Sequence, residues 1–376
     1  MIVSYFIVDS ASMNDPKVQG YAMKHLYFFI AGFLMLLCVA LFDYRYILKY
    51  AWIGYAGGIL LLVGLYVLPP SISEVRGGAR GWYNFGPLLF QPAELMKFVL
   101  IIAISAYLIK RKGEQLGFVR DVIPIGLIGL VPFLIITKLP DLGNAVILIV
   151  IMIGMYWIGN IKFRHVLVGV TAIALVVGGF LFAFKNYHEP VSQFMKDVGG
   201  GHWIGRIDTF LGTEERKDAQ GKDYQSIQGK AAIATGGLSG EGYKKGPYVQ
   251  GGNVPVTYSD AIFVVVAEEF GFVGSSLLLM LYFFLIYRMI VIAMECRDRG
   301  GGYLIIGIVS LYVFQIFQNI GMFIGLMPIT GITLPFVSYG GTSLVINMVA
   351  MGLVLSAKIH GDASLDSEEL QPKPAR

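Results

Sequence analysis

The stretch Gly251-Gly-Asn-Val-Pro-Val-Thr-Tyr-Ser-Asp260-Ala-Ile-Phe-Val-Val-Val-Ala-Glu-Glu-Phe-Gly271 passes from polar, glycine-rich chain into an apolar helix. Apolar sequence continues to residue 287. As helix it would reach about 40 Å, more than a hydrocarbon core of about 30 Å requires. A carboxylate at the mouth of such a helix is costly to desolvate, which marks Asp260 as functional. Its position keeps it in contact with water beside a low-dielectric wall, the setting in which a carboxylate serves as a general base.

Outward from that junction, the whole chain reads as a membrane protein. Hydrophobic residues make up 56% and charged residues 14%, with mean hydropathy +0.67. Soluble chains carry about 25% charged residues. Apolar runs predict spans at 22–42, 51–68, 92–109, 122–137, 141–159, 165–184, 261–287, 303–326 and 338–357. Ahead of them, Met1-Ile-Val-Ser-Tyr-Phe-Ile-Val8 reaches only about 12 Å as helix. It lacks a basic n-region and a cleavage site, so it reads as the outer end of a first span rather than a signal peptide. The fold class is therefore an all-α polytopic bundle of about ten transmembrane helices, the first truncated. Residues 1–358 form one transmembrane domain, and 359–376 an acidic, Pro-containing tail expected to be disordered.

Orientation follows from Lys and Arg in short loops. Arg45 and Lys49, Lys110-Arg-Lys112 with Arg120, Lys162 and Arg164, Arg297 and Arg299, and Lys358 alternate onto one side, read as cytoplasmic. The C-terminus is then cytoplasmic, and 69–91, Pro140-Asp141 and the large 185–259 loop face outward. The net charge of +4 lies in these loops and is no nucleic-acid signal. Two cysteines and five scattered histidines give neither disulfide nor metal-ligand spacing. Within the large loop, Ser226 to Leu238 predicts a short helix ending at Gly236-Gly237.

Four outward elements carry polar residues. Arg80-Gly-Trp82 precedes Gln91-Pro92-Ala-Glu94-Leu-Met-Lys97, where Pro92 suits a first helical turn and Glu94 and Lys97 share one face. That pair reads equally as a structural ion pair or as a substrate contact. Asp141 in Pro140-Asp141-Leu-Gly143-Asn144 reads rather as a helix start. Arg206, Tyr224, Gln225, Gln228 and Lys230 stand in the large loop, where solvated charge is the commoner explanation. Gln315, Gln318 and Asn319 share a helix face that suits helix–helix contact. The following block, with Pro328, Gly331, Pro335, Ser338, Tyr339 and Gly340, breaks the helix at membrane depth. Such backbone is tolerated where it is packed in protein or lines a wet cavity.

Asn319-Ile-Gly-Met, Gly325-Leu-Met-Pro-Ile-Thr-Gly and Leu334-Pro-Phe-Val-Ser-Tyr-Gly-Gly341 resemble the signature of the SEDS family (shape, elongation, division and sporulation proteins). Arg80-Gly-Trp82, Gln91-Pro-Ala-Glu94-x-x-Lys97, Pro140-Asp-Leu-Gly143, Tyr224-Gln-x-x-Gln228, Gly236-Gly, Asp260-x-Ile-Phe and Glu268-Glu-x-Gly-Phe272 follow in family order. Met322 and Leu326-Met-Pro-Ile resemble the RodA branch more than the FtsW branch.

The resemblance implies a multi-pass protein of the bacterial plasma membrane that polymerises lipid II into peptidoglycan glycan strands beside a class B penicillin-binding protein. It implies Asp260 as the essential acid, Glu94 and Lys97 as the paired charges, and substrate contacts among Arg80, Trp82, Gln91, Asp141, Arg206, Tyr224, Gln225, Gln228, Lys230, Ser338 and Tyr339. Arg80, Arg206, Lys230 or a divalent cation are candidates for stabilising the leaving pyrophosphate. The chain departs from the family pattern in reading Pro255-Val-Thr-Tyr-Ser-Asp260, so neither a second acid at Val256 nor a histidine role at Tyr258 carries over. It departs too at Gln228-Gly229 and at Lys138-Leu139 before Pro140. A lipid II flippase and a non-catalytic scaffold of a cell-wall synthase stay open as other readings.

Overall fold

Each apolar run folds as a helix near its expected bounds, because in lipid a lone segment satisfies its backbone only by intrahelical hydrogen bonds. The computed structural model describes residues 2–13, 18–69, 71–76, 79–86, 89–197, 204 and 222–369. In order come α1 (Ile2–Ala11), α2 (Tyr21–Leu41), α3 (Tyr44–Lys49) and α4 (Ala51–Val67). Three short strands follow, β1 (Ser73–Arg76), β2 (Ala79–Asn84) and β3 (Leu89–Phe90), paired antiparallel in that order. Then come α5 (Pro92–Ile109), α6 (Ile123–Lys138), α7 (Leu142–Ile158), α8 (Phe163–Asn186), α9 (His188–Asp197), α10 (Lys222–Thr235), α11 (Pro247–Gln250), α12 (Ile262–Glu295), α13 (Arg299–Ile324) and α14 (Gly341–Glu369).

Seven of these are long and apolar enough to cross a membrane: α2, α5, α6 with its π-helical lead-in Phe118–Val122, α8, α12, α13 and the first part of α14. α4 and α7, with 17 residues each, reach about 26 Å and are equally apolar. The protein is a multi-pass helical membrane protein with one small sheet between α4 and α5. α5, α13 and α14 form its centre, with 78%, 67% and 61% of their apolar windows buried, whereas none of the α8 window is.

Helix ends follow local chemistry. Pro92 opens α5. Asp141 caps α7 by accepting from the Asn144 N–H at 3.2 Å, and Asp298 caps α13. The Tyr44 hydroxyl donates to Asp298, and the Tyr44 N–H donates to Ser356 Oγ at 3.1 Å, so α3 is pinned to α13 and α14.

Four features depart from the expected outline. Residues 69–91 carry the small sheet, whose strands are too short for alternation to register. Glu74 pairs with Trp82 and Tyr83 with Phe90. The 185–259 region is largely helical where described, and its expected helix is α10. The last helix runs to Glu369, where disordered chain was expected from residue 359: extending an existing helix through Ala, Leu and Glu needs no new nucleus.

The fourth departure is a break inside α12. Gly271 takes φ 64°, ψ −160°, a region open essentially to glycine alone. The Glu241 and Gly242 N–H groups donate to the Glu268 and Glu269 carbonyls, both at 3.0 Å. The Phe272 and Val273 N–H groups donate to the Gly237 and Leu238 carbonyls at 2.9 and 3.1 Å. Residues 237–242 thus satisfy the backbone groups that the break frees. A Cβ on Gly271 would lie 2.7 Å from the Leu238 carbonyl carbon and run into the Gly240 nitrogen. Gly271→Ala is therefore expected to cost about 2–5 kcal/mol, read as a lower denaturation midpoint in detergent. An unchanged midpoint would show that the loop yields.

Candidate functional site

Asp260 sits in the turn entering α12, half-buried. Three successive carbonyls of that turn are held from elsewhere in the bundle. The Tyr339 N–H donates to the Tyr258 carbonyl at 2.8 Å, Ser338 Oγ to the Ser259 carbonyl at 2.7 Å, and Asn319 Nδ2 to the Asp260 carbonyl at 2.8 Å. Ser259 Oγ donates to Asp260 Oδ1 at 2.8 Å. The Val256 carbonyl accepts from the Ser259 and Ala261 N–H groups, and Val256 itself takes φ 55°, a constrained conformation for a β-branched residue. The carboxylate is thus held by backbone contacts that a change at its own side chain leaves intact.

The broken segment after α13 is held by the amide face read from sequence as helix–helix contact. Gln315 Nε2 donates to the Thr333 carbonyl at 3.0 Å. Gln318 Nε2 donates to the Pro328 carbonyl at 3.1 Å, and Asn319 Nδ2 donates to the Ile332 carbonyl at 2.6 Å as well as to Asp260. These amides satisfy carbonyls that have no helix to bond, which removes the penalty for irregular backbone inside the bundle. Their i, i+3, i+4 spacing beside a Pro/Gly-rich stretch was the available signal. Gly331 in this segment (φ 76°) stands against Asp260: a Cβ there would be 3.1 Å from Oδ2.

Below the turn, two buried glutamates anchor the loop. Glu268 accepts from the Tyr248 and Val249 N–H groups at 2.7 and 2.9 Å. Glu269 accepts from the Ser10 hydroxyl and from Gln250 Nε2 at 3.1 Å. α1 is a second anchor: Asp9 meets Lys244 Nζ at 2.7 Å and Tyr243 Oη at 2.9 Å, and Thr257 Oγ1 donates to the Ala11 carbonyl at 3.0 Å. Burial and then the bond to Asp9 push the Tyr243 phenol well above its usual range. His25, buried, meets Ser4 Oγ at 2.7 Å, an ordinary packed histidine.

A second polar patch lies across the broken segment, where Gly143 packs on Thr330 and Ile332. Asp141 accepts from Asn144 Nδ2 at 2.8 Å and Gln91 Nε2 at 3.2 Å. Lys97 Nζ meets Glu94 Oε1 at 2.7 Å, with Lys97 fully buried and Glu94 at 4% exposure.

The remaining candidates divide. Arg80 is engaged in the sheet, donating to Ser73 Oγ at 2.5 Å and to the Leu68 carbonyl, with half-buried Trp82 two residues along the same strand. On α10, Gln225 Nε2 donates to the Pro255 carbonyl at 3.3 Å, while Tyr224 and Gln228 are half-buried. Lys230 is exposed at the C-terminal end of α13, 2.7 Å from where a Gly325 Cβ would stand. Arg206 lies outside the described residues. Among the described residues no three His, Cys, Asp or Glu side chains group to hold a metal. Asp260 and Ser259 provide one carboxylate and one hydroxyl, so a divalent cation there would depend on phosphate oxygens and water.

Comparison with known proteins places this geometry. The profile of the cell cycle protein family FtsW/RodA/SpoVE matches residues 1–362. The stage V sporulation protein E of Bacillus subtilis is 34% identical over 295 residues, covering 77% of this chain and 74% of its own. The probable peptidoglycan glycosyltransferase FtsW of the same organism is 30% identical over 380 residues, covering 99% and 89%. A chain from a solved structure of a peptidoglycan synthase complex, described as coordinating polymerization and crosslinking, superposes with TM-score 0.76 at 26% identity over 96% of this chain and 95% of its own. Sporulation and division proteins both stand among these relatives, so they do not single out the RodA-like branch. With nearly its whole length matched in sequence and in fold, the chain belongs to the FtsW/RodA/SpoVE family of cell cycle proteins.

Proposed function

We propose that this protein is a peptidoglycan glycosyltransferase that polymerises lipid II into glycan strands, with Asp260 as general base. The observation that carries the reading is the Asp260 turn. A carboxylate is fixed at the mouth of a membrane helix by three backbone carbonyl contacts, so it is pre-positioned before substrate arrives. Its Oδ1 is oriented by Ser259, and Oδ2 stands against Gly331.

In the proposed reaction the GlcNAc 4-hydroxyl of lipid II gives its proton to Asp260 as its oxygen attacks the anomeric carbon of the donor sugar. The bond from that carbon to undecaprenyl pyrophosphate breaks, and the leaving group keeps the electron pair. Lys230, exposed on α10, is the described loop cation we assign to the pyrophosphate; Arg80 is engaged within the sheet. A divalent cation would act by neutralising the same phosphates. The loop face is taken as extracytoplasmic and the C-terminus as cytoplasmic, in keeping with the Lys/Arg distribution. A class B penicillin-binding protein is the proposed partner, and a RodA-like role in elongation the proposed branch.

The test is glycan-strand formation from purified lipid II by the protein with its partner transpeptidase. Polymer supports the transferase reading; none, from folded and partnered protein, leaves the flippase or the scaffold. Gly331→Ala sharpens it. The Cβ would press on Oδ2 in a backbone conformation that costs an L-residue about 1–2 kcal/mol. Polymerisation is expected to fall about tenfold or more with the fold retained. Full activity would place the reacting oxygen elsewhere.

A further inference from the structure

At the end of the bundle that carries Arg45, Lys49 and Lys110-Arg111-Lys112, an apolar groove of about 380 Å³ opens between α3, α4 and α5. Phe42, Tyr46, Tyr50, Gly54, Val99 and Ile102 line it. Its volume is in the range of ligand sites, about 300–1,000 Å³. Its lining covers about one helical turn on each long helix, Tyr50 to Gly54 at the start of α4 and Val99 to Ile102 on α5.

Its mouth is chemically distinct from its floor. Tyr46 and Tyr50 are 54% and 56% exposed and stand where aromatic rings sit at a membrane interface. The exposed Lys49 ammonium lies 5.7 Å from the centroid of the Tyr50 ring, which lines the groove. Arg45, one turn earlier, is engaged with Asp43 and with the His360 carbonyl. An apolar groove with exposed tyrosines in its lining and an exposed ammonium beside one of them fits a lipid with an acyl chain and an anionic headgroup.

We propose that this groove is a binding site for an anionic phospholipid, with one acyl chain between α4 and α5 and the phosphate at Lys49. Because α3 is pinned to α13 and α14 through Tyr44, a lipid held there braces the helices that position the rest of the bundle. The site shares no residue with the Asp260 turn, so it does not rest on the proposed reaction.

The experiment is native mass spectrometry of the full chain in detergent micelles, after incubation with phosphatidylglycerol or with phosphatidylcholine of the same acyl chains. Retained lipid is counted per protein, and denaturation midpoints are recorded. Wild type is expected to retain phosphatidylglycerol about fivefold over phosphatidylcholine, and to gain thermal stability from it. Lys49→Gln should bring the two lipids level. Gly54→Leu should remove both, since a Cβ at Gly54 meets nothing within 4 Å and the larger side chain fills the slot without disturbing the fold. Equal retention of both lipids by wild type overturns the proposal. So does undiminished phosphatidylglycerol in Gly54→Leu, which would make the attraction a surface effect. A preference unchanged in Lys49→Gln overturns it as well, because the headgroup would then lie elsewhere.

Discussion

Asp260→Asn is expected to abolish glycan polymerisation while leaving a folded, membrane-inserted protein. The amide is close to isosteric, and its oxygen still accepts from the Ser259 hydroxyl that now bonds Oδ1 at 2.8 Å. The ties from Tyr339, Ser338 and Asn319 end on backbone carbonyls of the turn and not on the carboxylate, so the turn keeps its shape. What disappears is the capacity to take a proton, a contribution of about 10²–10⁴-fold to rate. Polymer length and yield from lipid II, compared at matched folded concentration, measure it. Wild-type polymerisation by the variant would remove Asp260 from the chemistry.

The second large effect is on stability. Lys97→Met should leave the Glu94 carboxylate in the bundle centre without its cation. Lys97 is fully buried, and Glu94 Oε2 has no hydrogen-bond partner among the described residues, so nothing nearby replaces the lost contact. Breaking a buried pair on one side costs about 3–5 kcal/mol, read here as a large drop in denaturation midpoint. Replacing both partners, as Glu94→Leu with Lys97→Met, should recover most of that loss, because two apolar side chains leave no uncompensated charge. If the single variant is as stable as wild type, the pair is not what holds α5 in place. If the double variant folds but makes no polymer, the pair contacts substrate as well.

The residues behind these two effects are legible in sequence for different reasons. Glu94 and Lys97 lie three apart on one helix, and local spacing alone brings their side chains together. Asp260 stood out as a charge at a loop–helix boundary. The family resemblance implies substrate contacts at Ser338 and Tyr339, and the structure adds a different engagement: both bind backbone of the Asp260 turn. Gln315, Gln318 and Asn319 share the buried face that their spacing predicts, but their partners are carbonyls of irregular chain rather than a neighbouring helix. The anchoring by Glu268, Glu269 and α1 had no sequence signature beyond two adjacent acids and a short apolar segment.

By itself, then, the sequence determined what depends on composition and near neighbours. Those features are the membrane environment, the helical spans and their ends, the ion pair, and the position of Asp260 where solvent and apolar helix meet. Each follows from one residue's transfer free energy or from a helix period of about 3.6. Tertiary structure alone decided the break at Gly271, the small sheet, and the closing of residues 328–339 onto residues 258–260. These rest on backbone N–H and carbonyl groups that every residue carries. Which of them meet across dozens of residues is settled only when the helices pack and the remaining unpaired groups must find partners away from water.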